Sequence, residues 1–481
     1  VMYDYKGKYL LTATYRADGS SKFSTANRWG YFPSAAIAWR ISEENFMKGI
    51  SGTLNNLKLR FSYGTAGNNN IPANQIAQIF EARTTSWING FSSFWAPSST
   101  MANPDLKWET TFTRNLGLDF GLFGSRINGS FELYRNNTKD LLIEFPVSGT
   151  GYNTQYRNMG ETENKGLEIE LNVVALNEKK YGLSFGFNIG FNRNKILSLG
   201  VMNDFGQNTS WASTEIGNDY WIALGGSVGQ MYGYINEGRY EVSDFTGYDA
   251  AEDEWILKEG VVDCSNVIGT IRPGSLKLRD LTGDGIVTVA DNTVIGNANP
   301  KHTGGFNIEG YFYGFDVAAL FNWSVGNDIY NANKIEYTTS RYAFRNMIDI
   351  MAEGNRWTNL DPATGELVND PATLASMNAS TTMWSPYMTR HVFSDWAVED
   401  GSFLRLNTLT LGYSLPDVVT SRLLIQRLRF YVSCQNVFVL TKYSGFDPEV
   451  SSRRNTVLTP GLDYSAYPKS RQLLFGVNLT F

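Results

Sequence analysis

The residues best placed to do chemistry lie in one stretch, Asp280-Leu-Thr-Gly-Asp-Gly-Ile-Val-Thr-Val-Ala-Asp291. Its oxygens fall at the spacing of an EF-hand-type calcium loop. Asp280, Thr282 and Asp284 occupy loop positions 1, 3 and 5, and Gly285 allows the sharp turn at 6. Ile286 would offer its carbonyl at 7, Thr288 follows at 9, and Asp291 stands at 12, where a longer Glu usually binds through both oxygens. Ca2+ is the expected cation, since it accepts an irregular shell of hard oxygen donors. Thr at position 3 and Asp at position 12 weaken that expectation, and no helical pattern flanks the loop. An Asp/Gly-rich turn that holds no ion is the alternative.

A second set of residues could bind a ligand without metal. Trp87, Trp95, Trp211, Tyr220 and Trp221 lie in long polar connections, where flat apolar rings could stack on sugar faces. The same residues could instead fill the cores of those connections. Catalysis has less to work with. The chain has two histidines, His302 and His391. His391 stands near Ser394, but nothing marks that serine as an activated nucleophile. Glu168 and Glu170 share one strand face and read as wall lining. No phosphate loop, dinucleotide fingerprint or zinc spacing occurs, so no enzymatic activity is expected. Cys264 and Cys434 fall in dissimilar settings, and no disulfide between them is expected.

The elements that carry these loops follow a period of two. In Leu473–Phe481, Leu473, Phe475, Val477, Leu479 and Phe481 fall on one face, and Gly476, Asn478 and Thr480 on the other. Segments of about ten residues repeat the pattern along the chain, the length of a tilted membrane-crossing strand. They begin with Lys8–Arg16 and Trp29–Ile41, and continue through segments centred on Phe61, Leu118, Phe131, Ile169, Phe187, Ile308 and Ala319. Phe403–Ser414, with a change of phase near Asn407, and the segment around Phe430 precede the last. Leu320 breaks the alternation in its own segment. About twelve strands result, and the connections between them alternate short and long after the first loop. The long ones fall near 67–107, 194–302, 327–401 and 439–471, as expected of a membrane barrel with tight turns at one rim and long loops at the other. Met231–Tyr240 also looks strand-like and is placed in a hairpin above the membrane, because a crossing there would break the alternation.

Composition agrees. Among 481 residues, aromatics make up 14%, the net charge is −6 and hydrophobic residues reach only 42%. The acidic balance argues against nucleic acid. No apolar run is long enough for a transmembrane helix, while a barrel hides its hydrophobicity in alternation. The chain starts at Val1 without a basic-then-apolar leader, which suggests the later part of a longer protein.

These segments resemble the SusC/RagA-like TonB-dependent outer-membrane transporters of Bacteroidetes. The resemblance rests on Arg16-Ala-Asp-Gly-Ser-Ser-Lys-Phe23 with Trp29-Gly-Tyr-Phe-Pro-Ser-Ala-Ala-Ile-Ala-Trp39, on Leu59–Asn68, and on Asn158–Glu170. It continues through the Asp280–Asp291 loop with Pro300 and Gly304-Gly305-Phe306, Asp400–Arg405, Leu409–Tyr413 and the terminal Phe481. The resemblance implies an all-β fold, a transmembrane antiparallel barrel of roughly 22 strands, of which this chain would supply the C-terminal part. It implies a plug and a TonB-contacting segment, neither found in this sequence, and about ten further strands upstream or in another chain. It also implies energy from TonB–ExbB–ExbD, a SusD-like lipoprotein lid, and import of a glycan or oligopeptide across the Gram-negative outer membrane. An autonomous twelve-stranded pore, an outer-membrane enzyme and a soluble carbohydrate-binding β-protein are the alternatives. On the transporter reading, the strands at the two edges, Lys8–Arg16 and Leu473–Phe481, pair with strands outside these residues and not with each other.

Overall fold

The computed structural model describes residues 1–84, 93–147, 149–212, 215–342, 344–452 and 457–481. Thirteen of its strands form one continuous antiparallel meander in which every neighbour in space is a neighbour in sequence. They are β1 (Met2–Tyr5), β2 (Tyr9–Gly19), β3 (Trp29–Arg40), β4 (Leu54–Asn68), β5 (Glu109–Leu122), β6 (Ile127–Lys139) and β7 (Glu161–Asn177). Then follow β8 (Tyr181–Ser198), β9 (His302–Phe312), β10 (Phe315–Val325), β11 (Phe403–Ser414), β12 (Arg427–Thr441) and β13 (Gln472–Thr480). All twelve expected strands are present. The thirteenth is β1, which corrects the expectation for the first edge: Met2–Tyr5 folds back on Tyr9–Thr12. The left-handed Lys6 and Gly7, φ 57° and 68°, make the tight turn between them.

Register keeps the two faces separate across the whole wall. Paired residues of an antiparallel ladder share a face. One row runs Leu171–Phe187–Phe306–Phe321–Leu406–Phe438 across six strands, and another runs Phe61–Leu116–Leu133–Leu167–Phe191. The stacked rings of Phe306 and Phe321, with centroids 4.4 Å apart, lie in the first row. The opposite face carries Arg60–Gly117–Glu132–Glu168–Gly190. There Arg60 donates to Asp119 at 2.7 and 2.9 Å and to Glu132 at 2.6 Å, and Lys58 reaches Asp119 at 2.7 Å. A Cβ on Gly117 would meet the Arg60 guanidinium at 2.8 Å, so that glycine makes room for the ion network. Apolar on one side and charged on the other, the wall suits lipid outside and water inside.

The turns at one rim are tight. Tyr313 and Gly314 close β9 onto β10 with φ 47° and 93°, the pattern of a type I′ hairpin. Aromatic side chains crowd this rim, among them Tyr9, Trp39, Tyr181, Phe312 and Phe315, and a second group (Tyr15, Trp29, Tyr31) marks the far end. The change of phase at Asn407 is a β-bulge: Leu320 pairs with Thr408, and Phe321 with Leu406. The extra residue, Asn407, returns β11 to the apolar row opposite Phe321, while β10 keeps its phase and Leu320 points to the polar face opposite Asn307.

At the other rim the long connections fold into a layer with its own cores. Tyr240, Phe245, Cys264, Leu278, Met351, Trp357 and Trp384 belong to the largest of them, shared between residues 199–301 and 326–402. Gln230–Gly233 and Asn236–Arg239 lie in two small sheets of this layer, outside the wall, as expected for the Met231–Tyr240 stretch. Cys264 and Cys434 are both free.

Candidate functional site

The acidic loop folds around its own backbone. Asp280 accepts from the amides of Gly283 at 2.6 Å and Gly285 at 2.7 Å, and from the Thr282 hydroxyl at 3.0 Å. These bonds hold its carboxyl below the ordinary value. Asp284 accepts from the Ile286 amide at 2.9 Å. Asp291 turns inward and is fully covered, and its two oxygens take the amides of Leu281, Thr282 and Thr288 at 2.7–2.9 Å. Burial acts to raise its carboxyl, and the three amides outweigh it and hold the group below its usual value. Among the described residues no three His, Cys, Asp or Glu side chains are grouped as a metal site. Of the five expected calcium ligands, Asp280, Thr282, Asp284, Ile286 and Asp291, the three carboxylates also accept from amides of the loop itself. The Asp291 side chain staples the two ends of the loop together through these three bonds.

A comparison of two substitutions checks this. Asp291→Ala leaves three partly buried amides without their acceptor, and the loop should lose about 1–3 kcal/mol of local stability. Asp284→Ala should change it little. Amide exchange of residues 280–292 reads both, and equal losses that appear only when calcium is present would mean that the loop holds the ion.

The downstream end of the loop forms a wall. Thr288, Val289 and Asn292 line a cavity of about 710 Å³ together with Trp221, Tyr232, Asn218, Asn266, Arg390 and His391. Strand alternation explains which aromatics reach it. In Tyr220–Ala223, Tyr220 and Ile222 point into packed cores, and Trp221 points the other way. Trp221 stacks on Tyr232 with centroids 4.6 Å apart and planes at 24°. The Asn292 side-chain oxygen is buried in this wall without a hydrogen-bond partner. Arg390 donates to the Asn266 carbonyl at 3.0 Å, and no carboxylate among the described residues pairs with it. An aromatic pair, several amides and a guanidinium can hold a polar ligand through stacking and hydrogen bonds.

Glu215 also lines the cavity, where it pairs with Arg341 and accepts from the His391 amide at 3.0 Å. Burial holds the His391 imidazole below its ordinary value although Glu215 lies 2.9 Å from Nδ1. That residue is therefore neutral near pH 7. Ser394 is buried as well, and no hydrogen bond joins it to His391.

Sequence candidates divide accordingly. Trp221 lines the cavity. Tyr220 does not: it is fully buried, and its hydroxyl donates to the Pro460 carbonyl at 2.5 Å. Trp211 is buried too, and its indole N–H donates to the Tyr330 hydroxyl at 2.5 Å. Both are core residues of the loop layer. Trp95 stands exposed on Ser93–Pro97, in a separate hairpin with Phe80–Thr84. Trp87 lies outside the described residues. Asn218, Tyr232, Asn292 and Arg390 carry no sequence signal of their own, because separate segments bring them together.

Comparison with known proteins gives a consistent result. The family model described as "TonB dependent receptor-like, beta-barrel" matches residues 1–258. Over its full length the chain is 33% identical to TonB-dependent receptor P3 of Formosa agariphila and 29% identical to TonB-dependent receptor SusC of Bacteroides thetaiotaomicron. It spans 45% and 43% of those proteins. The solved RagAB peptide transporter matches with a TM-score of 0.75 at 24% identity, over the whole of this chain and 47% of that one, which shows the fold.

Proposed function

The chain belongs to the TonB-dependent receptor β-barrel family of the outer membrane, and from that premise we propose that it forms wall and outer vestibule of an active importer. The membership removes the soluble carbohydrate-binding reading. The cargo is a glycan or an oligopeptide, too large for passive pores, and TonB–ExbB–ExbD supplies the energy through a plug segment. A SusD-like lipoprotein closes the vestibule from outside. RagAB, a peptide transporter by name, and SusC support this reading by likeness. One observation carries it: the loop layer above a two-faced wall holds a cavity lined by a half-buried aromatic pair, Trp221 on Tyr232, and by Arg390, which no carboxylate among the described residues pairs with. A site of that kind sorts polar polymers before they enter the lumen.

In the full-length transporter, Trp221→Ala should weaken apparent affinity for the cargo by roughly 2–10-fold, the worth of one aromatic contact. Uptake of labelled oligosaccharides and oligopeptides by cells carrying either form measures it. Unchanged uptake of every cargo that the wild type imports would remove the cavity from the path. Growth unaffected by loss of TonB would overturn the active mechanism.

A further inference from the structure

The outer face of the wall carries a groove at the rim of tight turns, which is the periplasmic rim. It has a volume of about 900 Å³ and is lined almost wholly by apolar side chains. Two register rows build it. The upper runs Leu183–Gly310–Val317–Leu411–Val432–Phe475 across six strands, and the lower runs Tyr181–Phe312–Phe315–Tyr413–Phe430–Val477. Gly310 is the one position in the upper row without a side chain. A Cβ there would meet Leu183 and Val317 at 3.5–3.6 Å, ordinary contact distances, so packing does not demand the glycine. The missing side chain opens a dent between two aliphatic neighbours.

Cations flank the groove at the rim. The Lys180 ammonium lies 5.4 Å from the centre of the Tyr313 ring, and that ring packs edge-on against Phe312 of the lower row at 4.7 Å. Lys179 and Lys180 are exposed, and no carboxylate among the described residues pairs with either. Below the apolar band, unpaired lysines face the phosphate layer of the inner leaflet.

We propose that this groove is a specific site for an anionic phospholipid. One acyl chain lies in the dent at Gly310, between Leu183 and Val317, and the headgroup phosphate sits against Lys179 and Lys180. Occupant and groove match in both respects, since the walls are apolar at the depth of acyl chains and cationic at the depth of phosphate. A zwitterionic lipid offers the same chains but cancels the charge. The site is independent of the cargo.

The test uses the full-length transporter, purified in detergent, stripped of lipid and mixed with phosphatidylglycerol or phosphatidylethanolamine. Native mass spectrometry counts the retained lipids. The wild type should hold one phosphatidylglycerol more tightly than phosphatidylethanolamine. Lys179→Glu with Lys180→Glu should weaken that adduct about 30-fold, at the energy of two lysines near a charged membrane surface, and leave phosphatidylethanolamine unaffected. Gly310→Leu should lower both. Equal retention of the two lipids by the wild type overturns the proposal, as does an unchanged phosphatidylglycerol adduct in the lysine variant. The lysines stand on an exposed turn, so that variant tests the site even if Gly310→Leu does not fold.

Discussion

Arg405→Ala should cost about 3–5 kcal/mol and free the last long loop from the wall, the largest loss expected of any single substitution here. The Arg405 side chain is 2% exposed, on β11 beside the Asn407 bulge. It lies 2.7 Å from Asp447 and 2.8 Å from Glu449, and it donates to Asn436. Lys469 completes the cluster, 2.9 Å from Glu449. Asp447 is also covered, so truncating the arginine leaves that carboxylate away from water with only Lys469, 3.8 Å off, as counter-ion. The pair gains little over a well-packed apolar alternative, but removing one partner is costly. Arg405→Lys should fall between, because an ammonium cannot reach two carboxylates and an amide in one plane. Refolding into lipid vesicles, with proteolysis of residues 442–471 as a local probe, reads both variants. A loss below about 1 kcal/mol for Arg405→Ala would mean that the cluster behaves as an exposed ion pair.

How far the sequence reveals this architecture depends on which force acts. Where lipid and water face opposite sides of one strand, periodicity carries the information, and the strands from Lys8 onward are legible. Even irregularities are readable: the change of phase at Asn407 is a bulge, and Leu320 is an apolar residue at a polar-face position of a regular strand. β1 is harder to see, since four residues are too few for a periodic signal, although Lys6-Gly7 is a recognisable turn. The acidic loop shows a different limit. Its spacing reports a tight Asp/Gly turn, and the turn is present. The spacing does not reveal that the carboxylates also accept from the loop's own amides, as Asp280 and Asp291 do. For the loop aromatics the limit is tertiary. Trp211 and Tyr220 look like ligand platforms in a polar stretch, but a layer this large must bury a core, and large rings fill it. Trp221 is spared by one residue of alternation. Arg390 and Asn292 become site residues only through contacts between distant segments.

The same alternation makes the sharpest contrast between adjacent positions. Phe187 lies about 14 Å above the tight-turn rim, counting up β8 from Tyr181 at a tilt near 45°, which places it at the middle of the apolar band. It sits between Leu171 and Phe306 and packs 5.6 Å from the Trp323 ring. Asn188 faces the other way, between Glu170 and Gly305. Phe187→Arg should therefore cost about 2–4 kcal/mol, the expense of a guanidinium at the bilayer midplane of a barrel. Asn188→Arg places the same charge in a watery lumen beside a carboxylate, and should cost less than about 1 kcal/mol. Propensity, position along the strand and introduced side chain are nearly the same, so the difference isolates what each face touches. Both variants can be followed by unfolding from lipid vesicles in guanidinium. Equal losses at the two positions would mean that neither face meets lipid, and would remove the membrane wall on which the importer reading stands.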